Sequence, residues 1–221
     1  IIGIRPKPLS LSLYKDLVTD SIWAYQRNNY GYKNLRSHPL LISLGGIPYI
    51  DVRVSFNSFL PRNIPDDLAE RLANHYIDRL VEQPNLHDKV EFEIIYSCLT
   101  LDLPERLETL KDFGFSGEDF STLIDHLRPL TNRAIHGKTG LWRDEITKIA
   151  ELRRRQDLLL QSKLDPVSKI YWLIEDCKRY GTLPFAGLAR AGFIAMQMLR
   201  SLVSKSILSE DDLTAFLSQL H

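Results

Sequence analysis

Sulfur is scarce in this sequence. Its two cysteines, Cys98 and Cys177, lie far apart and form no CxxC pair, which excludes a disulfide scaffold and a zinc ribbon and predicts two reduced, buried thiols in a cytosolic protein. Net charge is missing too: 28 Lys and Arg balance 28 Asp and Glu, which argues against a nucleic-acid partner or a membrane surface, since both need a positive field. No long apolar run is present. The most apolar late stretch, residues 183–203, is interrupted by Arg190, Gln197 and Arg200, so it is not a membrane span, and the sequence contains no signal-peptide pattern. The six histidines are scattered, and neither His75 nor His87 has a second ligand at helical spacing; there is no HExxH, GxSxG or Walker loop, and neither cysteine stands beside a histidine. These absences predict no metal and no cofactor in this chain. There is no internal repeat. The sequence starts at Ile1 without Met and ends at His221 just after a capped helix, the expected look of a piece of a longer polypeptide.

What is present reads mostly as helix. Arg5-Pro6-Lys7-Pro8 is a stiff, extended lead-in. Ser10 is placed to cap a helix whose stripe is Leu13, Leu17, Ile22 and Tyr25 and which Gly31 ends. Residues 40–44 read as a short apolar strand, Gly45-Gly46 as a two-residue hairpin, and residues 49–57 as the return strand. Pro65, Asp66 and Asp67 start a helix with stripe Leu68, Leu72, Ile77 and Leu80. Residues 91–101, EFEIIYSCLTL, are β-branched and aromatic enough for a third strand, with helix as the alternative. A short helix over 104–113 follows, ending at Gly114. Ser116 then caps a helix that stops at Gly137, and Thr139 caps a charge-laced one reaching about Lys163. Asp165-Pro166 opens another with stripe Val167, Ile170, Tyr171, Ile174 and Cys177, punctuated by Gly181 and Pro184. The Gly- and Ala-rich FAGLARAGFIAMQML permits close helix approach, and Ser209 with Asp212 starts the last helix. The class is therefore α+β, predominantly α: a small antiparallel sheet near the N-terminus packed against a helical bundle. Residues 1–115 form a helix-plus-sheet part and 116–221 a helical part, packed as one unit.

The chemistry-bearing feature is the alternation in YIDVRVSFN, residues 49–57. Read as a strand, it puts Ile50, Val52, Val54 and Phe56 on one face and Asp51, Arg53, Ser55 and Asn57 on the other. Arg53 suits a carboxylate or phosphate because its guanidinium donates two parallel hydrogen bonds. Asp51 is placed to orient it, Asn57 to donate or accept, and Arg5 and Lys7 to reach the same anion. The bland alternative is that Asp51 and Arg53 pair and knit the sheet. Arg190, among small residues, is either a buried ion-pair partner or a cleft residue. The triple arginine Arg153-Arg154-Arg155, with Glu151 and Asp157 nearby, reads as a solvated helix face.

Two stretches carry a family resemblance. IIGIRPKPLSLSLY, followed after a helix by GGIPYIDVRVSFNSF, resembles the middle region of multidomain phosphoenolpyruvate-utilising phosphotransferases of the phosphoenolpyruvate synthase-like group. The matching positions are Gly3, Pro8 and Leu9, then Gly46, Tyr49 and Asp51. The later stretch over 165–195 is similar to the bacterial branch of that group. The resemblance implies a parent with an ATP-grasp domain and a mobile phosphohistidine domain, using ATP and Mg, with this chain as a connecting domain whose partners are its neighbours in the same polypeptide. The family's Thr-Gly-Gly run leading to Ser-His is absent, so no catalytic residue carries over. Two readings stand beside this one: a helical adapter that binds a protein partner, and a small anion-binding enzyme domain using Arg53 and Asp51.

Overall fold

A computed structural model describes residues 2–220. In chain order it comprises α1 (Pro8–Tyr14), α2 (Ile22–Tyr30), β1 (Leu41–Leu44), β2 (Ile47–Ile50), α3 (Val52–Asn57), α4 (Asp66–Glu82), α5 (Val90–Glu93), α6 (Leu103–Glu108), α7 (Gly117–Ile135), α8 (Leu141–Gln161), α9 (Pro166–Asp176), α10 (Leu183–Ser204) and α11 (Glu210–Ser218). Single π turns link α1 to α2 and α9 to α10. The class is α+β, predominantly α, and the sheet is one antiparallel pair, β1 with β2. Among the described residues no helix is long and apolar enough to cross a membrane.

The hairpin forms where its glycines place it. Gly45 and Gly46 take φ of 58° and 79°, the left-handed pair that a tight two-residue turn requires. The register runs from Leu41 opposite Ile50 to Leu44 opposite Ile47. The return strand, however, stops at Ile50 and does not continue to Asn57. The Asp51 carboxylate accepts the Val54 N–H at 3.0 Å, and α3 begins. A cap that satisfies an orphan helix donor outweighs a period-2 pattern of side chains. Of the expected apolar face only Phe56 is fully buried; it packs edge-on against Tyr76 of α4 with ring centroids 6.0 Å apart, while Ile50 and Val52 face solvent.

The main core gathers Phe56, Leu60, Leu68, Leu72, Tyr76 and Leu123 with their neighbours from α3, α4, α6 and α7. Through it runs the segment read from sequence as a third strand. After the single turn of α5 it is irregular, with Ile94 to Cys98 all buried. Among the described residues no strand lies beside it; side chains take up its backbone groups instead, as a buried loop demands. Tyr32 donates its hydroxyl to Ser97 O at 2.7 Å, and Thr131 Oγ1 accepts the Leu99 N–H at 2.8 Å. Ser201 Oγ accepts the Leu101 N–H at 3.3 Å and Gln197 donates to Glu91 O at 3.0 Å.

Several helix boundaries differ from the sequence reading. Lys7, with Pro8 as the first helical residue, begins α1, so Ser10 caps nothing; proline's fixed φ suits that first position. Gly140, not Thr139, precedes α8. Thr139 serves the connecting loop instead: its N–H donates to His136 Nδ1 at 3.1 Å. Along α1 and α2 the buried face is Ile22, Ala24, Gln26 and Tyr30, with Leu13 and Tyr25 exposed, because the intervening π turn rotates the stripe. Gly181 and Pro184 do not break the chain. The helix passes through a π turn over Cys177–Thr182 into α10, with Pro184 as the second residue of α10. Cys98 is buried, whereas Cys177 is only partly so.

The Gly-rich stretch brings α10 against α2 and α8. A Cβ on Gly187 would lie 2.9 Å from both Glu145 Cγ and the Tyr30 hydroxyl, so only glycine lets these three helices meet there. Asp165 caps α9, and the boxes Ser116–Asp119 and Ser209–Asp212 close the starts of α7 and α11.

Asp119 also accepts from Arg71 of α4, at 2.6 Å and 3.0 Å. Those bonds, with the Ser116 cap, hold its carboxyl at about 2. A carboxyl depressed in the fold stabilises fully above its unfolded pKa of about 4 and loses that contribution as pH falls toward 2. The melting-temperature gap between wild type and Asp119→Asn is therefore expected to narrow from pH 5 to pH 2. A gap constant across that range would contradict the assignment.

Candidate functional site

The expected anion site does not assemble. Asp51 is spent on the α3 cap. Arg53 is exposed and donates to Asn74 Oδ1 of α4 at 2.9 Å rather than pairing with Asp51. Asn57 donates back to Arg53 O at 2.9 Å. These side chains sit around one turn of helix, not in a row, because α3 replaces the strand. Arg5 and Lys7 are exposed ahead of α1.

Arg190 lies elsewhere and is 1% exposed. Its Nη1 donates to Glu91 Oε2 at 2.5 Å and its Nη2 to Ser97 Oγ at 2.6 Å. Arg27 of α2 donates to the other oxygen of the same carboxylate at 3.1 Å. The Phe59 ring serves both guanidiniums, with Arg27 Cζ 4.0 Å and Arg190 Cζ 5.5 Å from its centroid, and Tyr32 lies 5.5 Å from Arg190 Cζ. Burial pulls the Arg190 guanidinium down, but Tyr32 and Glu91 outweigh it and hold its pKa above the ordinary value. For Arg27 burial outweighs Glu91, and its pKa is lowered. Both remain charged, as guanidinium does in proteins. Of the two alternatives for Arg190, the structure gives the buried ion pair. The sequence signal for its partners was weak: Glu91 sat inside an apparent strand and Arg27 inside an unremarkable helix.

The buried thiol is no better placed for chemistry. Desolvation pushes Cys98 up to about 11, and Cys98 donates to Gln197 Oε1 at 3.4 Å. His75 packs edge-on to Phe113, centroids 4.6 Å apart, and burial lowers its pKa. Among the described residues no group of three or more His, Cys, Asp or Glu is placed to hold a metal ion.

The stripe of α9 lies largely open: Val167 is 75% exposed and Ile170 58%, with Tyr171 and the neighbouring Trp172 also open, while Ile174 and Cys177 are half-buried. Leu158, Leu160 and Leu164 from the end of α8 and the loop after it are exposed as well. A cleft of about 360 Å³ between the two helices is lined by Leu158, Leu159, Leu164 and Trp172. Its polar end is Arg155, whose Nε donates to Oδ1 of buried Asp176 at 2.9 Å, with Nη2 2.8 Å from the same oxygen in the ion pair. Arg155 thus leaves the solvated triplet, while Arg153 and Arg154 keep to it, Arg154 paired with Glu151. The signal missed in the sequence is that α9 carries Val167, Ile170, Tyr171, Trp172, Leu173 and Ile174 around more than one face. A helix apolar on two faces that packs on one neighbour leaves the other face open.

No family model, curated protein or solved structure matches the chain.

The two arginines singled out from sequence are expected to behave oppositely. Arg190→Met removes one partner of a buried pair and should cost about 3–5 kcal/mol. Arg53→Ala, at an exposed contact, should cost less than about 1 kcal/mol. Urea unfolding of both variants measures this. Equal losses would contradict the placement of Arg190 in the core and Arg53 on the surface.

Proposed function

We infer that this chain is a non-catalytic connecting domain of a phosphoenolpyruvate synthase-like phosphotransferase, docking on neighbouring domains of the same polypeptide through the outer face of α9. The parent would carry the ATP- and Mg-dependent chemistry, in the cytoplasm. The observation that carries the docking role is the apolar face itself: Val167, Ile170, Tyr171 and Trp172 stand in solvent on a well-capped helix beside the exposed leucines of α8. Contiguous apolar surface of this kind marks an interaction site more often than a free surface. The resemblance of residues 1–14 and 45–59 to the middle region of such enzymes supplies the parent, and the missing Ser-His motif supplies the non-catalytic role. The independent helical adapter uses the same face and differs in its partner being a separate protein.

The test is a triple substitution, Val167→Ser with Ile170→Ser and Tyr171→Ser, made in the isolated chain and in the full-length polypeptide. Exposed positions each contribute within about 0.5 kcal/mol to stability, so the isolated chain should melt almost as wild type. In the full-length polypeptide the substitutions should loosen the domain, read as faster proteolysis at the α9 face and reduced phosphotransfer. Unchanged proteolysis and turnover would overturn the docking role. A full-length chain lacking an ATP-grasp region would overturn the connecting reading and leave the adapter.

A further inference from the structure

A second region of the molecule has the marks of a ligand site, and none of it belongs to α9. Two cavities, of about 320 Å³ and 290 Å³, lie side by side where α2, the loop after α3, α7 and α8 converge. Tyr30, Arg62 and Arg133 line both. The wall they share therefore carries two guanidiniums from distant parts of the chain.

The donors on this wall are largely unused. Arg62 is tethered through Nη2 alone, to Asn28 O and, at 2.7 Å, to Asn28 Oδ1. That bond fixes the guanidinium and leaves its other N–H groups available. Arg133, in the last turn of α7, is exposed and makes neither a hydrogen bond nor an ion pair from its side chain among the described residues. Tyr30 is 0% exposed, yet its hydroxyl has no hydrogen-bond partner. Burial and then the Glu145 carboxylate push its pKa up, so it remains an O–H donor. The hydroxyl lies against Gly187 and near Glu145, where α10 meets α8, so the anion-binding donors of this wall are the two guanidiniums.

The carboxylates of the region are arranged around this wall rather than on it. Asp125 lines one cavity only, and Asp144 and Glu145 line the other only. Glu145 is already engaged by Lys148 at 3.2 Å. Asp125 and Asp144 make no hydrogen bond from their side chains among the described residues and are exposed. The pattern is a cationic centre flanked on either side by an acceptor.

We propose that the Tyr30–Arg62–Arg133 cleft binds a small oxyanion that also carries hydroxyl groups. The phosphate or carboxylate sits between the two guanidiniums, which match it by paired N–H donation, and the hydroxyls reach Asp125 and Asp144. Each cavity, about 320 Å³ and 290 Å³, is at the lower end of ordinary ligand pockets and suits a molecule of a few carbons. A bare inorganic ion satisfies the centre but not the flanks, and a neutral polyol satisfies the flanks but not the centre.

Isothermal titration of the 221-residue chain with glycerol 3-phosphate, glycerate, inorganic phosphate and glycerol tests this. Saturable binding is expected for glycerol 3-phosphate or glycerate, weaker binding for phosphate, and none for glycerol. Whichever of the first two binds more tightly distinguishes phosphate from carboxylate. Arg133→Gln touches no folded-state partner, so it should leave the melting temperature unchanged and weaken binding about tenfold or more, the size of one charge-assisted hydrogen bond. Asp144→Asn should weaken glycerol 3-phosphate but not phosphate. Arg153→Gln, on the exposed outer face of α8, should change neither. No saturable binding of any of the four ligands up to about 10 mM would overturn the proposal, as would binding that Arg133→Gln and Arg153→Gln affect equally.

Discussion

The fold turns on one carboxylate. Glu91 is held by Arg27 from α2, 64 positions away, and by Arg190 from α10, 99 positions away. It thereby fixes both ends of the chain to the irregular segment that crosses the interior. Burying two guanidiniums and one carboxylate is costly, and such a cluster often adds little net stability over an apolar replacement. What it supplies is position. A guanidinium accepts few geometries, so Arg190 sets the register of α10 on the core, and Gln197, two turns further along, completes it by donating to Glu91 O. The fit is not perfect: Arg27 Nε and Arg190 Nε are buried with no acceptor, a cost that the rest of the packing offsets.

From that anchor the remaining architecture follows. With α10 fixed, Gly187 lets it close on Tyr30 and Glu145, which draws in α8. α8 brings α9, held at one end by the Arg155–Asp176 pair. Among the described residues nothing covers the outer face of α9, where Val167, Ile170 and Tyr171 are exposed. The same closure makes the cleft around Tyr30, since that side chain lies at the meeting of α2, α8 and α10. Two surfaces of different chemistry therefore arise from one packing event: an apolar face on α9 and a guanidinium-lined cleft beside α8's first turns.

Local chemistry was legible in the sequence wherever one residue type had one physical use. The Gly45-Gly46 turn, the Ser116 and Ser209 boxes, the Asp165 cap and the close approach at Gly187 are all of this kind. The reading failed where two local signals competed. In residues 49–57 the alternation argued for a strand and Asp51 for a helix cap, and the cap prevailed. In 91–101 the β-branched composition was real, but it served burial rather than pairing, because side chains from Tyr32, Thr131 and Ser201 replaced the partner strand. Position across the whole chain was not legible at all. Nothing in the order of residues shows that Arg27, Glu91 and Arg190 meet, or that Arg62 and Arg133 share a wall. The α9 stripe was legible as a stripe, but spacing tells which residues share a face and not what lies opposite.

The most direct test of the central claim is a double-mutant cycle on unfolding free energy with Glu91→Gln and Arg190→Met. If the carboxylate anchors α10, the two substitutions share one interaction, and the double variant should be more stable than the sum of the single losses predicts, by about 2 kcal/mol. Losses that add to within about 0.5 kcal/mol, as they do for independent sites, would mean that α10 is held by apolar packing alone and that the Arg27–Glu91–Arg190 cluster is a passenger of the fold.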